Sequence, residues 1–332
     1  MRAMVYREFG PPEVMHYEEV PDPVPGPGEI KIEVHACSVN RVLDVAVRAG
    51  RQPQRNVCLP HVGGVDPVGI VTAVGPGVSD RRVGDTVAVF QGLPGRRMFG
   101  IHCWGGYAQF TKAPATATCV VPQGVAFPDA CVLARHAPVA WNLLVHMGKL
   151  KAGEWALIMG AAGNLGSIGI QLAKNLGARV IACAGSDERA AIGRTLGADH
   201  AINYRKLDLK DELMRITEGH GVDLVYDNIA NPETTSKAIM ALGFDGRLVT
   251  AGAHGGPIVP VNFFHIYDHR ITVMGSPMSR PADALPALEA AAQGRIKVLV
   301  ERVMPLAAAA EAHRLVEGSP ATGKIILDPG LG

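Results

Sequence analysis

The first 125 or so residues carry short apolar runs that are separated by turn residues. Runs such as EIKIEVHAC, VGIVTAVG and DTVAVF are each bounded by glycine-rich or proline-rich segments such as PGPG and GPG. Short apolar runs with this punctuation predict β-strands. We therefore expect this part of the chain to form an irregular, β-rich domain.

From about Pro128 the pattern changes to an alternation of strand and helix signals. Strands are predicted at WALIMG, ARVIACAG, DHAINY, VDLVYDNI and GRLVTAG, with helical segments such as NLGSIGIQLAKNLG and LKDELMRITEG between them. This alternation is typical of right-handed βαβ units, in which helices cover both faces of a parallel sheet. From about Ile271 mixed elements return. The predicted domains are residues 1–127 together with 271–332, and residues 128–270.

The turn after the first of these strands has the composition of a nucleotide-binding loop. Gly160, Gly163 and Gly166 form GxxGxxG, with Ala161 where the first glycine of GxGxxG would fall. Glycine permits positive φ and close backbone approach, and the free N–H groups of the following helix can bind a pyrophosphate. A tight connection without a ligand is the alternative, but the flanking strands and helix favour a dinucleotide. The residues expected here are Gly160, Ala161, Ala162, Gly163, Asn164, Leu165 and Gly166.

The turn after the second strand decides between the two nicotinamide dinucleotides. An NAD site places Asp or Glu there against the ribose 2′-hydroxyl. The chain reads AGSDERAA, so Gly185 and Ser186 occupy the turn and Arg189 follows at a position suited to a 2′-phosphate. NADPH is therefore the expected cofactor. A solvated Arg189, with Asp187 or Glu188 on a free ribose hydroxyl, is the alternative.

Composition and charge narrow the classes of partner. The 332 residues suit two domains, and 32 Lys and Arg against 31 Asp and Glu give a formal charge of +1. No basic excess is present for nucleic acid or an anionic membrane, and no apolar run approaches the roughly 18 residues of a membrane span. Six widely spaced cysteines without a CxxC pair, and an N-terminus without an apolar signal region, favour a cytoplasmic protein. The expected partner is a small-molecule substrate.

Six segments spread over the whole chain carry a family resemblance. They are VHACSVNRVLDVAVRAG at 34–50, GIVTAVGPGVSDRRVGDTVAV at 69–89, GGYAQF at 105–110, LKAGEWALIMGAAGNLGSIGIQLAKNLGARVIA at 150–182, LGADHAINYR at 196–205 and GVDLVYDNI at 221–229. Together they resemble the medium-chain dehydrogenase/reductase superfamily, and most of all its zinc-independent quinone oxidoreductase branch. The resemblance implies an α/β fold that joins a Rossmann doubly wound parallel sheet to a GroES-like β-rich barrel domain. It also implies a homodimer or homotetramer, paired through the edge of the nucleotide-domain sheet around 269–278.

The other large branch of this superfamily binds a catalytic zinc through Cys, His and carboxylate ligands. Compared with that branch, this chain has Asn40 in the place of the first ligand and Arg135 in the place of a cysteine. Val65 and Asp66 stand in the places between them, and His136 is beside Arg135. Valine and arginine cannot bind zinc, so no metal is expected. A weak site made by Asp66 and His136 is the alternative.

The loss of the metal ligands changes the expected chemistry. Oxidation of an alcohol needs a Lewis acid to stabilise the alkoxide, whereas a quinone or an enone accepts hydride at carbon and delocalises the charge. The resemblance therefore implies an NADPH-dependent enzyme that transfers hydride to a quinone or an α,β-unsaturated carbonyl. The alternatives are an alcohol dehydrogenase of the same superfamily and an NADPH-binding protein without turnover. An enoyl-thioester reductase is disfavoured because residues 51–61 lack the tyrosine acid of those enzymes.

Three residues are the candidates for the catalytic site. Asn40 either donates a hydrogen bond to the substrate oxygen or nicotinamide ribose, or stabilises a turn. Asp44 is expected to orient the same loop, although the NxxD of the branch is one residue longer here. His136, where the two domains join, is either a proton donor or a structural histidine bonded to backbone.

Four further residues complete the expected cofactor site. Tyr204 resembles the position that packs against adenine in this branch, with a tyrosine at the core edge as the alternative. Asn228 ends a strand of the sheet, where open α/β sheets bind their ligands. Ala251 and Gly252 follow another strand in the segment AGAHGG, whose glycines suit a close approach to nicotinamide.

Overall fold

The computed structural model describes residues 1–93, 95, 97–253, 255–276, 280–318 and 322–331. The chain divides into two compact units. The β-rich unit consists of Met1–Arg135 and Leu299–Gly332, and the α/β unit consists of His136–Val298.

The chain up to Arg135 supplies most of the β-rich unit. A π-helical turn at Arg41–Val45 leads into the short helix α1 (Ala46–Arg48), and α2 (Phe127–Trp141) runs into the α/β unit. Residues 12–14, 53–55 and 115–117 form 3-10 turns. The strands are β1 (Arg2–Tyr6), β2 (His16–Glu19), β3 (Glu29–Ser38), β4 (His61–Val62), β5 (Pro67–Val74), β6 (Thr86–Val89), β7 (Gly92–Leu93), β8 (Arg97–Met98), β9 (Phe110–Pro114) and β10 (Thr118–Val120).

The α/β unit continues with the alternation that the sequence predicts. After a π-helical segment at Asn142–Met147, its strands are β11 (Trp155–Met159), β12 (Arg179–Ala184), β13 (His200–Asn203), β14 (Val222–Asp227), β15 (Leu242–Thr250) and β16 (Thr272–Gly275). Its helices are α3 (Asn164–Asn175), α4 (Asp187–Thr195), α5 (Leu209–Ile216), α6 (Pro232–Ile239), α7 (Phe263–Asp268) and α8 (Leu285–Ala292).

These six strands form one parallel sheet in the order β13-β12-β11-β14-β15-β16. The prediction of a doubly wound parallel sheet is confirmed. Strand order reverses between β11 and β14, and ligands of such sheets bind at that point, outside the carboxyl ends of the strands. The sheet is held by side chains such as Leu157, Ile181 and Val225, which are fully buried in one apolar cluster.

The last part of the chain returns to the β-rich unit as β17 (Val300–Pro305), α9 (Ala309–Gly318) and β18 (Lys324–Asp328). Strand β18 pairs with β3 in the antiparallel sense, with Leu327 opposite Cys37. The resulting sheet has the order β10-β6-β5-β3-β18-β17, with β9 also paired to β3, and a smaller sheet has the order β2-β1-β4. The predicted β-rich domain is therefore built from both ends of the chain.

The division into units differs from the expected one at both boundaries. The second boundary falls before Leu299 rather than at 271, because β16 pairs with β15 and extends the parallel sheet. The first boundary falls after Arg135 rather than after 127, inside helix α2.

Within the part of the chain that the structure describes, no helix has both the length and the apolar character that crossing a bilayer requires.

Candidate active site

The turn after β11 contains the residues predicted to bind a dinucleotide. Gly160 has a φ of +68°, in the left-handed region that favours glycine. The N–H of Ala161 donates to the carbonyl of Cys183 at 3.0 Å, and the N–H of Gly163 donates to that of Gly160 at 2.9 Å. These bonds fix the turn directly before the first residue of α3.

The three glycines of this turn serve different purposes. A Cβ at Gly166 would lie 2.2 Å from the carbonyl oxygen of Gly160, so that glycine allows α3 to pack on the turn. A Cβ at Gly160 would lie 2.8 Å from Oδ1 of Asn228. Among the described residues, a Cβ at Gly163 would meet only the Gly160 oxygen, at 3.3 Å. Packing thus requires Gly160 and Gly166, whereas a Cβ at Gly163 would need only a small shift of that oxygen and would otherwise enter the space beside the turn.

The first turn of α3 presents unsatisfied polar groups to that space. Gly163 is the N-cap residue, and no side chain of the described residues caps this helix. The N–H groups of the first turn, which begins at Asn164 and Leu165, are therefore available to an anion, and the helix dipole favours one there. Oδ1 of Asn164 is buried and has no hydrogen-bond partner among the described residues. Free N–H groups at a helix N-terminus, beside a glycine, fit the pyrophosphate of a dinucleotide, whereas the Asn164 oxygen needs a donor such as a ribose hydroxyl or water.

The turn after β12 brings together the residues predicted to choose the cofactor. The hydroxyl of Ser186 accepts the N–H of Arg189 at 3.3 Å and caps α4. A Cβ at Gly185 would lie 2.8 Å from the Tyr204 hydroxyl, so glycine allows this ring to lie against the turn. Arg189 is half-buried beside them.

The acidic alternative at this turn, Asp187, is already engaged. Its carboxylate accepts a hydrogen bond from Asn203 Nδ2 at 2.7 Å and another from the Lys206 ammonium. These two bonds lower the pKa of the Asp187 carboxyl, which is therefore ionised and paired. A ribose 2′-hydroxyl would compete with both partners for it.

The ends of two further strands reach the same edge of the sheet. Asn228 follows β14, where the Asp227 carboxylate accepts the N–H groups of Ile229 and Ala230 at 2.9 and 3.0 Å. Ala251 follows β15 and donates its N–H to the Asp227 carbonyl at 3.0 Å. The Thr250 hydroxyl donates to the Gly252 carbonyl at 3.2 Å. In the segment AGAHGG, His254 lies outside the described residues.

In the β-rich unit, Asn40 and Asp44 form the loop that follows β3. Oδ1 of Asn40 accepts the N–H groups of Val42 and Leu43, both at 3.1 Å. The Asp44 carboxylate accepts the N–H of Asn40 at 2.9 Å and that of Gly64 at 3.0 Å. Asn40 thus stabilises the turn through its oxygen. Asp44 holds the loop against the neighbouring chain segment.

The extra residue between Asn40 and Asp44 is accommodated by the π-helical turn. The N–H of Val45 donates to the Asn40 carbonyl at 3.1 Å, a bond that spans five residues instead of four. Such a turn takes up one additional residue and is frequent at functional sites. The longer spacing therefore does not displace the Asp44 carboxylate from its backbone partners.

Asp44 belongs to a buried ionic cluster with Asp66, Arg135 and Lys324. The Ser38 hydroxyl donates to Asp66 Oδ2 at 2.8 Å, and Nε of Arg135 lies 3.7 Å from Asp66 Oδ1. Burial, followed by the charge of Asp66, raises the pKa of the Asp44 carboxyl to about 7. Burial lowers the pKa of the Lys324 amine, against the opposing attraction of Asp66. Two residues of this cluster, Asp66 and Arg135, are those that the resemblance compares with zinc ligands of the other branch.

The structure adds two residues to the site that the sequence did not indicate. Lys324 begins β18 in the otherwise apolar run KIIL, and the only available signal was a charged residue in a predicted buried strand. Gln91 accepts a hydrogen bond from Arg135 at 2.7 Å, and nothing in its local sequence predicts that contact. Among the described residues, no three His, Cys, Asp or Glu side chains are grouped as metal ligands would be. His136, in the middle of α2, is half-buried in the α/β unit, and its role stays a prediction.

Comparison with known proteins gives the family. Residues 26–123 match the family model described as the alcohol dehydrogenase GroES-like domain, and residues 165–293 match the one described as zinc-binding dehydrogenase. The quinone oxidoreductase of Sus scrofa is 30% identical over 335 residues, which cover 98% of this chain and 97% of that protein. This chain belongs to the medium-chain dehydrogenase/reductase superfamily, in its quinone oxidoreductase-like branch. It is an oxidoreductase with two domains, a GroES-like domain and a Rossmann domain. The Rossmann fold of this superfamily binds a nicotinamide cofactor.

Solved structures of the superfamily are similar over nearly the whole chain. The structure of AibC has a TM-score of 0.93 at 32% identity, over 99% of this chain and 95% of that one. An NAD-dependent alcohol dehydrogenase has a TM-score of 0.88 at 34% identity, over 99% and 100%. A 2-haloacrylate reductase has 0.84 at 30% identity, over 99% and 100%. A mycobacterial protein solved with NADPH has 0.80 at 30% identity, over 99% and 100%.

Proposed function

We propose that this medium-chain reductase is NADPH-dependent and zinc-independent, and that it transfers hydride to a quinone or an α,β-unsaturated carbonyl. One observation carries the proposal: Arg135 pairs with Asp66 where the zinc-dependent branch has a cysteine ligand and a carboxylate. A guanidinium has no lone pair to offer a metal and repels a cation beside it. Without a Lewis acid, an acceptor that delocalises charge is the suitable substrate.

The residues of the two units divide the work. NADPH, when bound, supplies the hydride. The turn at Gly163 and the N-terminus of α3 hold the pyrophosphate, and Arg189 with Tyr204 binds the adenosine end, including the 2′-phosphate. In the β-rich unit, the Asn40 amide NH2 donates to the substrate carbonyl oxygen, and Asp44 fixes that loop. Solvent or His136 supplies the proton.

The similar proteins support the two halves of this proposal unequally. The structure of a similar mycobacterial protein was solved in complex with NADPH. A similar 2-haloacrylate reductase acts on an unsaturated acid, as its name states. The similarity to an NAD-dependent alcohol dehydrogenase favours the second candidate, a metal-dependent oxidation of alcohols. Asp66 with His136 would then have to hold the metal, displacing Arg135 from its partner.

One experiment separates the two candidates. Purified protein is mixed with NADPH or NADH and a panel of quinones, enones, aldehydes and alcohols, before and after treatment with a chelator, while the absorbance of the reduced nicotinamide is followed. We expect NADPH-dependent reduction of quinones or enones that the chelator leaves unchanged. One zinc per chain, with alcohol oxidation that is lost on its removal, contradicts the proposal, and cofactor binding without any turnover supports the non-catalytic alternative.

We also propose that the protein is a homodimer or a dimer of such dimers, formed through β16. This strand pairs only with β15 among the described residues, and its Val273 is 49% exposed. The adjoining helix α7 exposes Phe263, Phe264 and Tyr267 to 74%, 70% and 74%. An unpaired strand edge beside such an aromatic patch suits the same strand of a second copy. Of the expected segment 269–278, Pro277 and Met278 lie outside the described residues. The cytoplasmic location expected from the sequence is part of the proposal.

A further inference from the structure

Gln91 places an unused hydrogen-bond donor beside Arg135. Its Oε1 accepts from Arg135 Nη1 at 2.7 Å, and because a guanidinium only donates, this contact fixes which end of the amide is oxygen. The Nε2 of Gln91 is buried and has no hydrogen-bond partner among the described residues. A buried donor without a partner is costly, so an acceptor is expected there in the working protein.

Arg135 offers a second donor at the same place. Its Nη1 donates to Gln91 and its Nε lies 3.7 Å from Asp66, so Nη2 is the donor group of this side chain that these two contacts do not use. The side chain is 26% exposed, whereas Asp66 is 4% exposed. The guanidinium therefore joins a buried carboxylate on one side to an accessible position on the other.

The charges around this position favour an anion. A guanidinium is a permanent cation in proteins. The carboxylate that Arg135 faces, Asp66, is buried, whereas the Arg135 side chain is partly exposed. An anion on the exposed side of Arg135 would also accept the hydrogen bond that Gln91 offers.

We propose that Gln91 and Arg135 bind the carboxylate of the substrate, and that the substrates of this protein are α,β-unsaturated acids. An amide N–H and a guanidinium N–H side by side match the two oxygens of a carboxylate. The ion pair also has a chemical purpose, because an ionised carboxylate activates a double bond poorly until its charge is neutralised. Hydride adds to the β-carbon and a proton to the α-carbon, so the double bond is reduced and the cofactor is oxidised. The inference rests on the proposed function, which it narrows.

The experiment compares each acid with a neutral ketone of the same shape. The pairs are crotonate with 3-penten-2-one, and cinnamate with 4-phenyl-3-buten-2-one, each tested with NADPH. In Arg135→Met we expect kcat/KM for the acids to fall ten- to a hundredfold, as for the loss of a charge-assisted hydrogen bond, and for the ketones to change less than about threefold. The matched control is Arg82→Met, which removes an arginine that is 89% exposed and should change neither.

A second variant guards against misfolding of the first. Gln91→Glu keeps an oxygen that accepts from Arg135 but replaces the Nε2 donor by a second oxygen, which repels a carboxylate. We therefore expect kcat/KM for the acids to fall about as much as in Arg135→Met, and kcat/KM for the ketones to stay nearly unchanged. Binding of butanoate and 3-phenylpropanoate, the saturated acids, is measured by calorimetry on the protein loaded with NADP⁺. Both variants should weaken it by the same factor.

The possible outcomes are distinct. Reduction of the ketones without reduction or binding of the acids overturns the inference and leaves the proposed function standing. Equal losses for acids and ketones in both variants also overturn it. If no compound is reduced, the proposed function fails, and the calorimetric binding measurement then tests the carboxylate site separately. Binding of butanoate or 3-phenylpropanoate to the wild type that is weaker in both variants supports the site. Absence of such binding refutes it.

Discussion

Gly166 packs directly against Gly160, since a Cβ at position 166 would lie 2.2 Å from the Gly160 carbonyl oxygen. Gly163, between them, has no such contact, and its φ of −81° and ψ of 158° are open to any residue. We expect Gly163→Val to fold normally and to lower NADPH affinity about tenfold or more, equivalent to about 1.4 kcal/mol, because the new side chain fills the space for pyrophosphate. Fluorescence titration with NADPH and thermal unfolding measure the two effects.

The matched variant for this prediction is Gly166→Val. It should lower the free energy of unfolding by roughly 3 kcal/mol or more, because the backbone of the turn cannot move aside. Unchanged NADPH affinity in a folded Gly163→Val would show that the turn is only a connector between strand and helix.

Cofactor choice is predicted to depend on Arg189. In Arg189→Ala, the loss of a charge-assisted bond to the 2′-phosphate should weaken NADPH by about 1.5 to 3 kcal/mol, or ten- to a hundredfold, and leave NADH nearly unchanged. Titration of both proteins with both cofactors, followed by nicotinamide fluorescence, measures the change.

Asp187 provides the contrasting variant. Lys206→Ala frees one side of its carboxylate and should improve NADH binding relative to NADPH. If wild type prefers NADH and removal of the Asp187 carboxylate weakens it, then this aspartate, and not Arg189, recognises the ribose.

The stability of the protein should depend on pH through Asp44. Its pKa is raised from 3.8 to about 7, so between these values the folded state keeps a proton that the unfolded chain has released. Stability therefore falls as the pH rises across this interval, and the contribution of the protonated carboxyl is complete only below about 3.8. In Asp44→Asn this part of the pH dependence should disappear.

Urea unfolding at several pH values between those limits tests the sign. Asp44→Asn also loses one of two backbone hydrogen bonds, which should cost about 1 to 3 kcal/mol at every pH, so the slope and not the absolute stability is compared. Parallel slopes in the two proteins would mean that Asp44 is ionised in the folded state at all these pH values.

The proposed dimer depends on the aromatic patch beside β16. The double variant Phe263→Asp with Phe264→Asp should sediment as a monomer, because charged residues at an apolar interface lose their hydration on association. Phe9→Asp, at a residue 44% exposed in the β-rich unit, is the control and should leave the association state unchanged. A patch variant that sediments with wild type places the interface elsewhere.

The sequence predicted best where the chemistry is local. Gly160, Gly163 and Gly166 lie within seven residues, and their turn needs only a strand before it and a helix after it, both of which the apolar pattern indicates. The doubly wound sheet followed from the same alternation. Strand β16 has a weaker pattern than its neighbours, because Val273 of this edge strand is exposed. The compact α/β unit extends to Val298, beyond the expected boundary at 271.

The ionic cluster was only partly predictable because its contacts join distant parts of the chain. Arg135 and Asp66 were noticed through comparison with zinc ligands, but their pairing is a property of the fold. Gln91 is 44 residues from Arg135, and the two side chains come into contact only in the folded chain. The spacing of Asn40 and Asp44 also left the geometry of their loop open. The sequence shows that five residues are involved, but it does not show that they form a π-helical turn.

That π-helical turn has an evolutionary consequence. An insertion in an α-helix rotates every later side chain by about 100°, which would carry Arg48 out of its buried contact with Glu317 at 2.7 Å. At Arg41–Val45 the added residue instead widens one helical turn, so the side chains of the residues that follow keep their orientation. An insertion during evolution can therefore lengthen this loop and change its side chains, while the packing of the domain core stays the same.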